Sequence, residues 1–286
     1  MAESIYLKGA LFMSTWKITS LYYGKITVPK GNLAAGLDPD LIIDFPYTGF
    51  LLRNGKQNVL IDTGIHADHI VDGRAWGGCP AEGGASFVLD ALAREGLTPK
   101  DIDTVIYTHL HNDHAGNALL FPDAKTYFHK DEYTNLLNPL PTQKIREDFD
   151  TRTPGDLAQL KNIYMFDGDL RLPNGLELYK VPGHTSGSLA IVVPTEEGRY
   201  VLTGDIPHLG LALFPKTDHY ELLGGEIIPI TPAPDNMMPY LFNSVIYDHY
   251  AAFDSYNRLK CLAESFEPKW YLTGHDPWVI NRHSFG

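Results

Sequence analysis

The chain has 286 residues, 44% of them hydrophobic and 20% charged, and its formal net charge is −12 at pH 7. This length and apolar content suffice for one large core or two small domains, and the net charge argues against a surface built for nucleic acid or an anionic membrane. No apolar run reaches the roughly 18 residues that span a bilayer, and the N-terminal segment MAESIYLKGALFMSTW lacks the regions of a secretory signal. Since two cysteines are also too few for a disulfide framework, we expect a cytoplasmic protein.

The N-terminal part of the chain predicts β-strands. Apolar and β-branched residues bounded by turn residues dominate four segments, 18–23, 41–45, 49–53 and 58–62. Asn54-Gly55 between the last two predicts a hairpin. The glycine-rich segment 64–85 predicts an irregular loop, which could close over a substrate or lie free on the surface. Residues 86–95 predict a helix that Gly96 ends.

Strands and helices alternate in the rest of the chain. The predicted helices are 130–137 and 247–265, and the predicted strands are 103–108, 126–129, 176–181, 189–193, 200–203 and 269–272. Two proline-rich segments, 138–155 and 206–246, predict a cap and a long loop. This order predicts an α+β sandwich of mixed sheets with helices outside. We expect a single domain over residues 1–286, with insertions near 64–85, 138–155 and 206–246.

Residues 109–114 are the most informative part of the sequence. They follow a predicted strand and have the pattern H-x-H-x-D-H, which places three imidazoles and one carboxylate within six positions: His109, His111, Asp113 and His114. A lone histidine is usually an ordinary surface or core residue, but four ligand-type residues in one short loop reduce stability unless they bind a metal. The pattern predicts ligands for two metal ions rather than one.

Three more ligand candidates each come shortly after a predicted strand and directly after a glycine. They are His184 in Pro-Gly-His-Thr-Ser-Gly, Asp205 in Thr-Gly-Asp and His275 in Thr-Gly-His-Asp. Because strand ends of one sheet converge on one edge, and glycine lets the backbone turn sharply, these residues can meet in one cleft. Imidazole and carboxylate ligands predict two divalent ions, Zn²⁺ first, with iron, manganese or cobalt as alternatives. Two such ions about 3.5–4 Å apart can share a hydroxide, because binding lowers the pKa of water to about 7.

The remaining histidines stay unassigned, because each is isolated from such a pattern. They are His66, His69, His129, His219, His249 and His283.

The motifs THLHNDHAGN, PGHTSG, LTGD and TGHD, preceded by LIDTG, resemble the metallo-β-lactamase superfamily over roughly residues 40 to 280. The resemblance implies a four-layer αββα sandwich with a dinuclear site on the edge between two sheets. It implies that one ion takes His109, His111 and His184, that the other takes Asp113, His114 and His275, and that Asp205 bridges both. It also places Asp62 beneath the site as a hydrogen-bond acceptor for a ligand.

Within that superfamily, the Asp-Thr-Gly turn, the segment PGHTSGS and the final GHDP look most like the N-acyl-homoserine lactonases and related lactonases. One departure is His208, which stands three residues after the bridging aspartate, where those enzymes commonly have a tyrosine. The resemblance implies a small-molecule ester or lactone substrate, and we expect a metal-bridging hydroxide to attack the carbonyl of an acyl-homoserine lactone or a related small lactone and open its ring. His208 could then stabilise the oxyanion, and Asp113 or Asp205 could transfer the proton. A homodimer is expected because many relatives form one.

Other functions stay open at this point. A histidine at position 208 is similar to the arylesterase and organophosphate-hydrolase branch, and a thioesterase is a further alternative. A catalytically silent binding protein and an iron-dependent oxidative enzyme are two rivals from other classes. The intact two-metal ligand set disfavours both of them.

Overall fold

Two mixed β-sheets form the frame of the molecule. The computed structural model describes residues 15–34, 36–237 and 239–286. The expectation about a secretory signal concerns an N-terminal segment that lies almost entirely outside these ranges. Within them, every helix is too short or too polar to cross a bilayer.

The larger sheet has nine strands in the order β4-β5-β1-β2-β3-β6-β7-β8, and β16 pairs with β1. β1 pairs antiparallel with β2, whereas β3, β6, β7 and β8 run parallel to one another. The strands are β1 Lys17–Pro29, β2 Ile42–Arg53, β3 Asn58–Ile61, β4 Arg74–Ala75, β5 Cys79–Gly83, β6 Thr104–Ile106, β7 Lys125–His129, β8 Asn162–Phe166 and β16 Ser284–Phe285.

The smaller sheet has five strands in the order β15-β12-β11-β10-β9, and a separate hairpin joins β13 to β14. The parallel pairing of β12 with β15 matters for the site, because the two strands end side by side. The strands are β9 Leu170–Arg171, β10 Glu177–Lys180, β11 Leu189–Pro194, β12 Arg199–Gly204, β13 His219–Glu221, β14 Ile227–Pro229 and β15 Tyr271–Thr273.

Helices lie against both sheets. They are α1 Ala85–Arg94, α2 Asn112–Ala115, α3 Lys130–Leu137, α4 Pro141–Arg146, α5 Thr153–Leu157, α6 His249–Leu259 and α7 Pro277–Arg282. α1 packs on β1 and α3 on β7, whereas α6 packs on the connections of the smaller sheet through Ala252. Apolar residues of both sheets form one continuous core. The α+β class is thereby confirmed, and the single-domain assignment of the whole chain stays a prediction.

The structure corrects several predicted boundaries. The segments 41–45 and 49–53 form one continuous strand, because Pro46 and Gly49 both keep their pairing with β1 around an irregularity between Tyr22 and Lys25. The insertion 64–85 contains two short strands, 138–155 contains α4 and most of α5, and 206–246 contains the β13–β14 hairpin. The helix predicted over 247–265 ends at Leu259, since turns follow in which Leu262 and Ala263 enter the core.

Candidate metal centre

The loop after β6 and the short helix α2 carry the H-x-H-x-D-H segment. Asp113 and His114 lie in the single turn of α2. The segment is fixed from both sides, because the amide of Thr63, after β3, donates to the carbonyl of His114 at 2.6 Å, and the amide of Leu189, in β11, donates to that of Thr108 at 2.8 Å. The cluster therefore lies where the two sheets meet.

The parallel strands β12 and β15 bring two more ligand candidates together. β12 ends at Gly204, directly before Asp205, and β15 ends at Thr273, two residues before His275. Gly204 and Thr273 are partners in the register of the two strands. As a result, Nε2 of His275 lies 3.1 Å from Oδ2 of Asp205.

Asp205 lies at the centre of the cluster. Its Oδ1 is 3.3 Å from Nε2 of His114, and its Oδ2 is 3.5 Å from Nε2 of His184 and 3.9 Å from Nε2 of His109. The two nitrogens of His109 and His184 lie 3.2 Å apart. All seven predicted ligands fall into two groups whose ligand atoms lie within 4.8 Å of one another: His109, His111 and His184; and Asp113, His114, Asp205 and His275.

The polar atoms of this cluster fit metal ions. Nε2 of His111, Nε2 of His114 and Oδ1 of Asp205 are buried and have no hydrogen-bond partner among the described residues. Such a group costs about 1–3 kcal/mol when it is left unpaired. With the proton of neutral His114 on Nδ1, toward Asp62, two lone pairs face each other across the 3.3 Å to Asp205. A positive charge between them relieves this repulsion.

The electrostatics of the cluster point to the same requirement. Burial lowers the pKa of His109 and of His111 well below its usual value, which keeps both imidazoles neutral with a lone pair free. Burial also opposes a charge on His114, but Asp205 and the other neighbouring carboxylates raise its pKa well above the usual value. Burial alone would raise the pKa of Asp205, but the surrounding imidazoles hold it well below its usual range. The Asp205 carboxylate is thus anionic and attracts positive charge, which a proton on His114 supplies in the metal-free protein and a bound divalent ion would replace.

Backbone carbonyls orient two of the ligand candidates. Nδ1 of His184 donates to the carbonyl of Val245, and Nδ1 of His275 donates to that of Pro46, each at 2.8 Å. In the neutral form of each ring, Nε2 therefore carries the lone pair, and it lies 3.5 Å (His184) or 3.1 Å (His275) from Oδ2 of Asp205. This arrangement is the one that metal-ligating histidines adopt.

Glu132 is a site residue that the sequence analysis missed. It is fully buried, and its carboxylate accepts hydrogen bonds from the amide of Leu110 at 2.9 Å, the hydroxyl of Thr185 at 2.5 Å and the amide of Gly187 at 3.1 Å. Burial raises its pKa to about 7. The side chain thus joins the His109–His111 loop to the loop that carries His184. A glutamate early in a polar helix carries no sequence signal for such a role.

A cavity of about 260 Å³ opens onto the cluster. Asp113, His208 and Asp205 lie in its wall, and Nε2 of the buried His208 is 3.1 Å from Oδ2 of Asp205. The lining also includes the charged residues Arg146 and Asp148 and several apolar or aromatic side chains, among them Ile26, Val28, Leu33, Tyr47 and Trp76.

All three predicted insertions border this cavity, through Trp76, Arg146 and His208. Two of them are also joined to each other, because Nε2 of His69 lies 3.0 Å from the carboxylate of Asp150. His69 and the other unassigned histidines lie outside the groups that could hold an ion.

Comparison with known sequences identifies a matching family. Residues 43–262 match the family model described as the metallo-β-lactamase superfamily. An N-acyl homoserine lactonase of Bacillus cereus is 24% identical over 195 residues, which cover 65% of this chain and 74% of the relative. An N-acyl homoserine lactonase of Agrobacterium fabrum is 31% identical over 170 residues, 54% of this chain and 60% of the relative.

Solved structures with the same fold include two lactonases. An N-acyl homoserine lactone hydrolase with N-hexanoyl-L-homoserine at its catalytic metal centre superposes with a TM-score of 0.70 at 20% identity, covering 94% of this chain and 97% of the other. A dizinc quorum-quenching lactonase gives 0.65 at 19% identity, with coverages of 93% and 89%. These likenesses confirm the predicted fold.

Proposed function

The chain belongs to the metallo-β-lactamase superfamily, and on this premise we propose that it is a metal-dependent hydrolase that opens the ring of a small lactone. The observation that carries the proposal is the convergence of seven buried or nearly buried ligand side chains on Asp205, beside a cavity. Acyl-homoserine lactones are the first substrate class to test, because the two relatives described above, which align over 195 and 170 residues, are N-acyl homoserine lactonases.

Two divalent ions are part of this proposal. His109, His111 and His184 would hold one ion, Asp113, His114 and His275 the other, and Asp205 would lie between them. Zinc is the first candidate, since the donors are imidazoles and carboxylates; iron, manganese and cobalt are compatible with the same atoms. When bound, the ions supply an activated water near neutral pH and polarise the substrate carbonyl.

The protein's own side chains bind the substrate and handle the proton. Apolar residues that line the cavity, such as Val28, Leu33 and Trp76, suit an acyl chain, and the cavity volume limits the enclosed substrate to a small molecule. Asp113 lies on the cavity wall, where its carboxylate can hold a proton until the ring oxygen takes it up. His208 lies where it can face the carbonyl oxygen of the substrate.

An assay across ester classes tests the proposal. Acid release at constant pH would be measured with lactones of rising acyl length, using protein of known metal content. We expect turnover of lactones, loss of turnover after chelation, and recovery when zinc is restored. His219→Ala is a matched control, because that histidine is 66% exposed and lies outside the ligand groups. Absence of turnover with every lactone would overturn the substrate class.

An arylester or organophosphate hydrolase is the second candidate, and His208 at the site is the observation that favours it. Turnover of aryl esters or phosphotriesters but not of lactones would support it, and thioester turnover would point to a thioesterase. The cytoplasmic location and the homodimer stay predictions.

A further inference from the structure

Nε2 of His208 can either bind a metal ion or donate a hydrogen bond. Its Nε2 lies 3.1 Å from Oδ2 of Asp205, and together with His184 these residues form a third group that could hold a metal ion. In the same position, Nε2 could instead carry a proton and donate a hydrogen bond. The two roles exclude each other, because a metal needs the lone pair of a nitrogen that has no proton. The partner of the other ring nitrogen decides between them.

That partner is the amide of Asn243. Its Nδ2 donates to the carbonyl of Leu33 at 2.8 Å and lies 3.2 Å from Nδ1 of His208, while its Oδ1 accepts from the amide of Val245 at 3.0 Å. Turning the amide over would set an oxygen against the Leu33 carbonyl and an NH₂ group against the Val245 amide. Both hydrogen bonds would be lost, so the contacts fix the orientation of the amide.

This orientation determines the tautomer of His208. The amide nitrogen of Asn243 only donates, so Nδ1 of His208 must accept and carries no proton. The neutral ring then has its proton on Nε2, the atom that faces Asp205 and the cavity.

The contrast with the neighbouring rings supports the distinction. His184 and His275 donate through Nδ1 to backbone carbonyls, which leaves Nε2 bare for a metal. His208 faces a donor instead of an acceptor, so its two nitrogens have the opposite roles.

We propose that Asn243 is a positioning residue that holds His208 as the Nε2–H tautomer. His208 then donates its one hydrogen bond to Asp205 in the free enzyme and to the carbonyl oxygen when substrate is bound, and it does not bind metal. The substrate part of this proposal rests on the proposed hydrolase function. The tautomer part does not, and it is measured without substrate.

Nitrogen NMR of the zinc-loaded protein tests the tautomer directly. Long-range ¹H–¹⁵N correlations of ¹⁵N-histidine distinguish a ring that carries its proton on Nε2 from one that carries it on Nδ1. We expect His208 to show a protonated Nε2, and His184 and His275 to show a protonated Nδ1. A metal-bound Nε2 with a protonated Nδ1 on His208 in the wild-type protein would overturn the proposal, whatever the lactone assay shows.

The variant Asn243→Asp provides the second measurement. It replaces the NH₂ group that donates to Nδ1 of His208 with a carboxylate oxygen, which can only accept. The proton of His208 should move to Nδ1, and the bared Nε2 should join the metal, changing the absorption spectrum of the cobalt-substituted protein. Asn138→Asp makes the same change at an exposed position and should alter neither signal. An unchanged His208 tautomer in the folded Asn243→Asp protein would contradict the role of Asn243.

Activity separates donation to the substrate from a purely structural role. Loss of the Nε2–H donor in Asn243→Asp or His208→Phe should lower kcat by about 10²-fold with little change in KM, as for a lost oxyanion donor. A change in KM alone would contradict donation to the carbonyl oxygen. Absence of turnover with every lactone, together with the expected NMR result, would reject lactones as the substrate class but leave the Asn243–His208 assignment in place.

Discussion

The carboxylate of Asp62 lies 2.8 Å from Nδ1 of His114, on the side of the ring that faces away from Asp205. The same carboxylate accepts hydrogen bonds from the amide of Thr108 at 2.8 Å and from its hydroxyl at 2.7 Å. Asp62 is thus fixed by the loop that carries the ligands, and in turn it fixes the ring and tautomer of His114.

Asp62→Asn should weaken metal binding while preserving the fold. The amide has nearly the same shape, but it cannot accept all three hydrogen bonds, so the ring of His114 loses its charged anchor. Loss of such a partner lowers metal affinity by about 10- to 100-fold. Titration with a competing chelator measures this change. Asp123→Asn, at a 72% exposed carboxylate, is the control, and equal affinities of both variants and wild type would contradict the role of Asp62.

Asp205→Ala and His109→Ala should each remove metal and hydrolytic activity together. Asp205 lies within 3.9 Å of Nε2 of His109, His114, His184 and His275. Its loss leaves those rings without the anion that attracts the ions. Elemental analysis of the purified variants gives the metal content per chain, with His219→Ala as the reference. Retained turnover in metal-free His109→Ala would falsify the site.

Glu132→Gln should destabilise the protein by about 1–3 kcal/mol, because an amide oxygen cannot replace both carboxylate oxygens toward three donors. At least one of the Leu110 and Gly187 amides then loses its acceptor. Because these bonds join two ligand loops, metal affinity should also fall. Chemical denaturation measures the first effect and chelator competition the second. Glu196→Gln, at an exposed glutamate, should change neither quantity.

The stability of the metal-free protein should depend on pH through Glu132. Burial raises the pKa of this carboxyl from 4.5 to about 7, so the folded chain binds more protons than the unfolded chain between these values. The free energy of unfolding contributed by this group therefore falls as pH rises from about 5 to 7. Glu132→Gln lacks this slope, so its destabilisation relative to wild type should shrink over that range. Denaturation at several pH values measures the difference, and a constant difference would contradict a raised pKa.

Gly204→Ala should disturb the site more than the same change at Gly77. Both glycines have positive φ, +54° and +73°, so alanine costs about 1–2 kcal/mol at each. Only at Gly204 would the added Cβ lie 2.7 Å from Cβ of Thr108, whereas nothing lies within 4 Å at Gly77. The clash adds about 1–3 kcal/mol. Thermal unfolding of both variants measures the difference, and equal losses would show that the backbone near Asp205 yields to the methyl group.

The fold class and the convergence of the ligand candidates were predictable where the sequence signal is local. The spacing in residues 109–114 and the glycine turns at Asp205 and His275 predict the ligand candidates, because each motif follows a strand that is evident from its own apolar residues. The single strand β2 was predicted as two, because Pro46 and Gly49 are breakers locally and only their pairing with β1 keeps the strand continuous.

The sequence by itself determined the superfamily, and it predicted the seven ligand candidates and the strand ends that carry them. Only the tertiary structure decided how each ring is held: Pro46 orients His275, Val245 orients His184, and Asn243 sets the tautomer of His208. Glu132 likewise joins two loops only in the folded chain, because one of its hydrogen-bond donors, Leu110, precedes it and another, Thr185, follows it. The physical reason is that a candidate metal ligand can be predicted from the residue itself and from its neighbours in the sequence. The proton on its ring depends on a hydrogen-bond partner that folding brings from as far as 229 positions away.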